Sequence, residues 1–193
     1  MFLNCTSLTA APKLPATTLA IGCYSSMFHN CTNLTTAPKL PASALTTYCY
    51  QNMFAGCTSL TAAPVLPATD LAESCYSGMF IGCTSLTKAP ALPATKLESL
   101  CYSSMFYNCS SLTVAPALPA EKLERFCYES IFYGCTKLNY IKCLATDISA
   151  SYCTDSWLKG VASTGTFVKN PSMESWPTGV SGIPDNWTIE NNI

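Results

Sequence analysis

The sequence predicts an α/β solenoid: short parallel strands on one side, short helical or 3₁₀ return arms on the other, and a β-type cap at the C-terminus. Three observations carry this. A 26-residue unit recurs in phase along the chain, its first slot returning as Met1, Met27, Met53, Met79, Met105, Ile131 and Trp157. Two cysteine columns keep the same step, Cys5, Cys31, Cys57, Cys83, Cys109 and Cys135 in one, and Cys23, Cys49, Cys75, Cys101, Cys127 and Cys153 in the other. From Trp157 the period dissolves into a tail rich in Gly, Pro, Asn and Trp that lacks cysteine. A fixed period of this size with its apolar residues locked in phase is the signature of stacked supersecondary units.

A single unit cannot fold alone. Its roughly six inward side chains contribute about 1.5–3 kcal/mol each on burial, against an ordering cost of about 1.5 kcal/mol per residue. Stacking lets each coil cover the apolar top of the one before, so the core becomes continuous. Parallel coils about 4.8 Å apart would make six units a slab roughly 30 Å long. The expected organisation is a solenoid of six units over residues 1–156 and a cap over residues 157–193.

Within a unit, the arm from the first cysteine to the paired prolines reads as extended. Leu8, Ala11 and Leu14 point inward, and Leu34, Leu60, Leu86, Leu112 and Leu138 repeat the first of these. Pro12 and Pro15 have no N–H to give to a ladder between coils, so the strand is confined to residues 8–11. The sixth unit drops both prolines and alternates apolar with polar residues, which predicts a longer strand within residues 138–144. In the return arm Leu19, Cys23, Tyr24, Met27, Phe28 and Cys31 are spaced like one face of a helix, with Ser and Asn slots that shorten it to a turn or two. Strands are predicted near residues 166–169 and 186–190 in the tail, with Trp157, Trp176 and Trp187 covering the last coil.

Composition excludes several functions. Of 193 residues only 11% are charged, the net charge is −1, and no acidic residue precedes Asp70. That leaves no basic footprint for nucleic acid or an anionic membrane surface. No apolar run approaches the ~20 residues of a spanning helix. Met1 and Phe2 stand in the slot of Met27 and Phe28, which predicts a fragment whose upstream signal, anchor or cap lies elsewhere; a genuine start at Met1 is the alternative. The thirteen cysteines include one, Cys143, outside the columns. Recurring in phase with Leu and Phe, they read as small buried hydrophobes with free thiols, although bridges along a column fall within disulfide reach. No CxxC pair occurs and His29 is the one histidine, so neither zinc nor any other cofactor is expected.

The pattern Phe54-Ala55-Gly56-Cys57-Thr58-Ser59-Leu60, continuing to Pro67, resembles the bacterial surface leucine-rich repeats of the BspA-like family. The tail segments around Phe167, Trp176-Pro177-Thr178-Gly179 and Ile183-Pro184-Asp185-Asn186-Trp187 resemble C-terminal caps of such proteins. The resemblance implies a right-handed solenoid, export to the cell surface or secretion, and adhesion or binding to a host or bacterial surface protein or glycan. The extra proline and the second cysteine column depart from the family pattern. Similar repeats in phage-derived proteins make receptor recognition a further option.

No nucleophile with its base, carboxylate pair or metal set is visible, so no enzyme is predicted. His29 shares its slot with Leu3, Ala55, Ile81, Tyr107 and Tyr133, which marks it as tolerated variation. The column Tyr24, Tyr50, Tyr76, Tyr102 and Tyr128 reads as a half-buried ladder, with stacking on sugar rings as the alternative. Threonine columns such as Thr9, Thr35 and Thr61 would suit an ice-binding surface, but no Thr-x-Thr repeats on one strand face. The row Ala10, Thr36, Ala62, Lys88, Val114 and Tyr140 differs from coil to coil and should lie on the outer face of the sheet. Its members Thr36, Lys88, Val114 and Tyr140 are the candidate interaction residues. The competing function is a spacer that holds another domain away from the envelope.

Overall fold

The computed structural model describes residues Met1–Ile193. Equivalent side chains stack along one axis at the period of the repeat. The rings of Phe2, Phe28, Phe54, Phe80, Phe106 and Phe132 lie 5.5 to 5.7 Å apart and within 10° of parallel. That separation suits offset aromatic stacking. With the leucine, methionine and cysteine columns beside them, these rings form a single core running through the chain.

The return arms are not helical. From Gly22 to Cys31 the N–H groups alternate between two destinations. Those of Cys23, Ser25, Met27, His29 and Cys31 close four-residue turns onto Ala20, Gly22, Tyr24, Ser26 and Phe28 at 3.1 to 3.2 Å. Those of Gly22, Tyr24, Ser26, Phe28 and Asn30 reach carbonyls of Thr47, Cys49, Gln51, Met53 and Ala55 in the next coil at 2.7 to 3.0 Å. A helix would keep its donors to itself and leave the coils unlinked. Sending every second donor outward needs a reversal every fourth residue, and left-handed backbone supplies it at Gly22 (φ 62°), Ser26 (φ 53°) and Asn30 (φ 56°). Four-residue turns have nearly the period of a helix. The apolar spacing that reads as a helical face is therefore produced by a different backbone.

On the other side, the strand expected at residues 8–11 contracts to one bridging residue per coil. Ala10 bridges Thr36, Thr36 bridges Ala62, and Ala62 bridges Lys88, all in parallel. The prolines account for the contraction: across residues 36–47, 61–73 and 87–99 no N–H donates to another main-chain carbonyl. The proline-free sixth unit behaves as expected. It forms β1 (Tyr140–Cys143), flanked by bonds from Ala115 N–H to Tyr140 O at 3.0 Å and from Leu118 N–H to Lys142 O at 2.9 Å. The tail strands β2 (Gly165–Lys169) and β3 (Trp187–Asn191) lie close to their predicted places. They extend β1 into one parallel sheet of order β1-β2-β3, with Tyr140, Thr166 and Thr188 in register.

The tail packs directly on the last coil. Trp157, buried in the methionine slot, stacks on Trp176 at 5.4 Å, meets Phe167 edge-on at 5.9 Å, and donates Nε1–H to Gly182 O at 2.8 Å. Trp187 donates Nε1–H to Ala162 O at 2.9 Å. Gly165 makes this approach feasible, because a Cβ there would run into the Asn139 carbonyl and the Trp187 ring. The turn pattern of the return arm itself runs on past Trp157, to a left-handed Gly160 (φ 77°).

Candidate interaction face

The expected row lies in the open. Ala10, Thr36, Ala62, Lys88, Val114 and Tyr140 are all exposed, Val114 by 51% and Tyr140 by 38%. Bridges join Ala10 through Lys88, and Val114 to Tyr140, from which the row continues to Thr166 and Thr188. Between Lys88 and Val114 the ladder is interrupted, and a cleft of about 510 Å³ lined by both residues, Pro90 and Pro116 opens there. A similar cleft of about 540 Å³ separates the first two coils, lined by Pro12, Pro15, Pro38 and Pro41 with Lys13 and Lys39. Coils that cannot hydrogen-bond through proline gape at these points. The row thus passes from the small residues Ala10, Thr36 and Ala62 to Lys88, Val114 and Tyr140 along a surface notched between coils.

A second row, exposed but for the half-buried Asp147, runs beside it and is not evident from the sequence pattern. Ala44 bridges Asp70, Asp70 bridges Lys96, and Lys122 bridges Asp147. Its signal is the recurrence of charge in phase with the repeat, hidden because the sign changes along the row, from Asp70 to Lys96 and Lys122 and back to Asp147, and Ala44 carries none. Two local contacts tune it. The Ser149 hydroxyl and amide, donating to Asp147 Oδ1 at 2.7 and 3.0 Å, hold that carboxyl below its usual range. The Glu124 carboxylate, 3.0 Å from Lys122 Nζ, raises the lysine. Both groups sit in water, so these contacts order side chains more than they stabilise the fold.

The buried thiols are chemically quiet. Burial pushes Cys57, Cys75, Cys127, Cys135 and Cys143 up to about 12, and Cys83, Cys101 and Cys109 well above the ordinary value. A thiol so placed stays protonated and is no nucleophile near neutral pH. All thirteen cysteines are free, eleven of them buried, with Cys5 half-buried and Cys23 exposed. His29 lies on a return arm, across the coil from the row, and no three His, Cys, Asp or Glu side chains converge where a metal could sit.

The tyrosine column needs a correction. Tyr50, Tyr76, Tyr102 and Tyr128 are buried rather than half-buried, stacked at 5.8 to 6.2 Å, and only Tyr24 in the first coil is partly open. Sealed between coils, the column offers no ring face to a sugar. The threonines act along the axis: Thr35 Oγ1 donates to Thr9 O at 3.3 Å and Thr46 Oγ1 to Ala20 O at 2.9 Å, one coil back.

No helix is long and apolar enough to cross a membrane. No curated protein and no solved structure matches the chain. The family model described as BspA type Leucine rich repeat region does match, in six copies, over residues 1–139 and 73–167. Those copies cover the turn-built return arms, the bridged row and the start of the parallel sheet; the chain belongs to the BspA type leucine-rich repeat family.

Proposed function

We propose that the chain is a non-enzymatic interaction module, secreted or displayed at a bacterial cell surface, that binds a protein or glycan through the row containing Thr36, Lys88, Val114 and Tyr140. The family is one of surface interaction repeats, generally without catalytic activity. In this reading residues 1–156 wind as a right-handed solenoid of six units, and residues 157–193 close its end. One observation carries the proposal. The interior slots repeat nearly the same residue in every coil, whereas the exposed row on the sheet side changes from Ala and Thr to Lys, Val and Tyr along its length. Stacking constrains the first set, and no packing demand within the chain selects the second. An extended sheet face of this kind is where solenoids present their binding residues.

The test is a panel of purified surface and extracellular-matrix proteins and glycans, probed with the wild-type chain and with a Lys88→Glu/Tyr140→Ala variant. Binding to at least one member that the variant loses is the expected result. Binding that the variant leaves intact moves the site off this row, and uniform failure to bind favours the spacer function.

A further inference from the structure

The return-arm side carries two short aromatic ladders, confined to the later coils, which end differently. Tyr107 and Tyr133 stack at 4.6 Å, and the ammonium of Lys159, one coil further on, closes the ladder 5.6 Å from the Tyr133 ring. Phe126 and Tyr152 stack at 4.9 Å and within 5° of parallel. The Arg125 guanidinium lies 4.8 Å from the centre of the Phe126 ring. The far face of Tyr152 has no cation from this chain.

Tyr152 also lines a cleft of about 320 Å³ between the last return arm and the tail, together with Ile148, Thr154, Asp155, Pro177 and Ser181 among others. One Asp155 oxygen, Oδ1, accepts from Ser181 Oγ at 2.9 Å; the carboxylate has no Lys or Arg partner. A π face beside an unpaired carboxylate attracts a cation twice, through the ring quadrupole and through charge. Tyr152 is also an expensive residue to place here. It is 62% exposed and held at φ 58°, in a slot that Gly22 fills in the first return arm. Bulky side chains are rare in left-handed backbone, and this one gains little burial in return.

We propose that Tyr152 and Asp155 form a seat for an arginine side chain of a protein partner. The guanidinium lies flat on the outer face of Tyr152, as that of Arg125 lies over Phe126, and its N–H groups donate to Asp155. The Lys159-capped ladder shows what a completed ladder of this kind looks like. Arginine fits better than lysine because the cleft offers a flat surface and a carboxylate side by side, the pairing a planar fork of donors satisfies. The seat lies on the return-arm side, away from the sheet-face row, and stands whether or not that row binds anything.

The test uses the full chain and N-acetyl-arginine amide, followed by backbone amide shifts in a ¹⁵N-labelled sample at low salt. Saturable shifts centred on Tyr152, Thr154 and Asp155 are expected, with none from the neutral isostere N-acetyl-citrulline amide. Tyr152→Gly, which copies the first return arm, and Asp155→Asn should each weaken binding by roughly three- to tenfold while the rest of the spectrum stays folded. Absence of saturable shifts at these residues, equal binding of the citrulline compound, or unchanged affinity in both variants would overturn the proposal.

Discussion

The sulfur of Cys83 lies 3.2 Å from the main-chain oxygen of Phe54, one coil earlier, and donates its S–H to a carbonyl that already accepts the N–H of Cys57 at 3.0 Å. Cys31, Cys57, Cys109 and Cys135 repeat the contact onto Phe2, Phe28, Phe80 and Phe106 at 3.0 to 3.1 Å. This is why the slot holds cysteine rather than another small apolar residue: the side chain fills the space and supplies one more link along the axis. Cys83→Ala removes the link and leaves a small void, and should cost about 1–3 kcal/mol by urea unfolding. A loss below about 0.5 kcal/mol, the range of an inert surface change, would reduce the thiol to filler.

The same burial makes the protein sensitive to alkali. An unfolded thiol ionises near 8.5 to 9, whereas Cys57, Cys75, Cys127, Cys135 and Cys143 are pushed up to about 12 in the fold. Above about pH 9 the unfolded chain gives up protons that the folded chain keeps, so unfolding is increasingly favoured. The stabilisation is complete below about pH 9 and drains away as the pH climbs toward 12, by up to about 1.4 kcal/mol per thiol per pH unit. Urea midpoints under reductant should be flat around neutrality and fall steeply between about pH 9 and pH 10. A flat profile there would contradict the buried, protonated columns.

The repeat, the single stacked core, the inward leucines and the longer strand of the sixth unit were all legible in the sequence, because each follows from side-chain identity recurring in phase. Loss of Pro at the slots of Pro116 and Pro119 announced β1 one coil later. The backbone of the return arm was not legible. Leu19, Cys23, Met27 and Cys31 recur at four-residue steps whether the chain coils as a helix or as successive turns, and only the destination of alternate N–H groups separates the two. Left-handed residues every fourth position were the available clue, plain in Gly56, Gly82 and Gly134 but masked where Tyr48, Leu100, Phe126 and Tyr152 occupy such positions. The exposed row is legible as the set of slots that vary from coil to coil, whereas the charged row beside it is not, because Asp70, Lys96, Lys122 and Asp147 share a place without sharing a sign.

Thiol labelling separates the first coil from the rest. Cys23 is exposed and Cys5 half-buried, while the other eleven thiols are buried. Brief native treatment with iodoacetamide should add one or two adducts by intact mass, mapping to Cys23 and then Cys5. After denaturation without reductant all thirteen should react. Fewer labelled positions in the denatured sample would mean that disulfides run along the columns.

Tyr76 carries a different tension. Its ring is clamped between Tyr50 at 5.8 Å and Tyr102 at 5.9 Å, yet its hydroxyl and that of Tyr50 are buried with no hydrogen-bond partner. Burial accordingly pushes both phenols up from their ordinary value. A stranded hydroxyl costs about 1–3 kcal/mol, while the ring around it contributes the stacking and the apolar area. Tyr76→Phe keeps the ring and removes the stranded group, so it should raise stability by roughly 1–2 kcal/mol. Tyr76→Ala, which empties the slot, should lower it by about 3–5 kcal/mol. Both are read as shifts in the urea midpoint. If Tyr76→Phe instead destabilises the chain, the hydroxyl has a partner after all, and the column owes its tyrosines to a bond rather than to the shape of the ring.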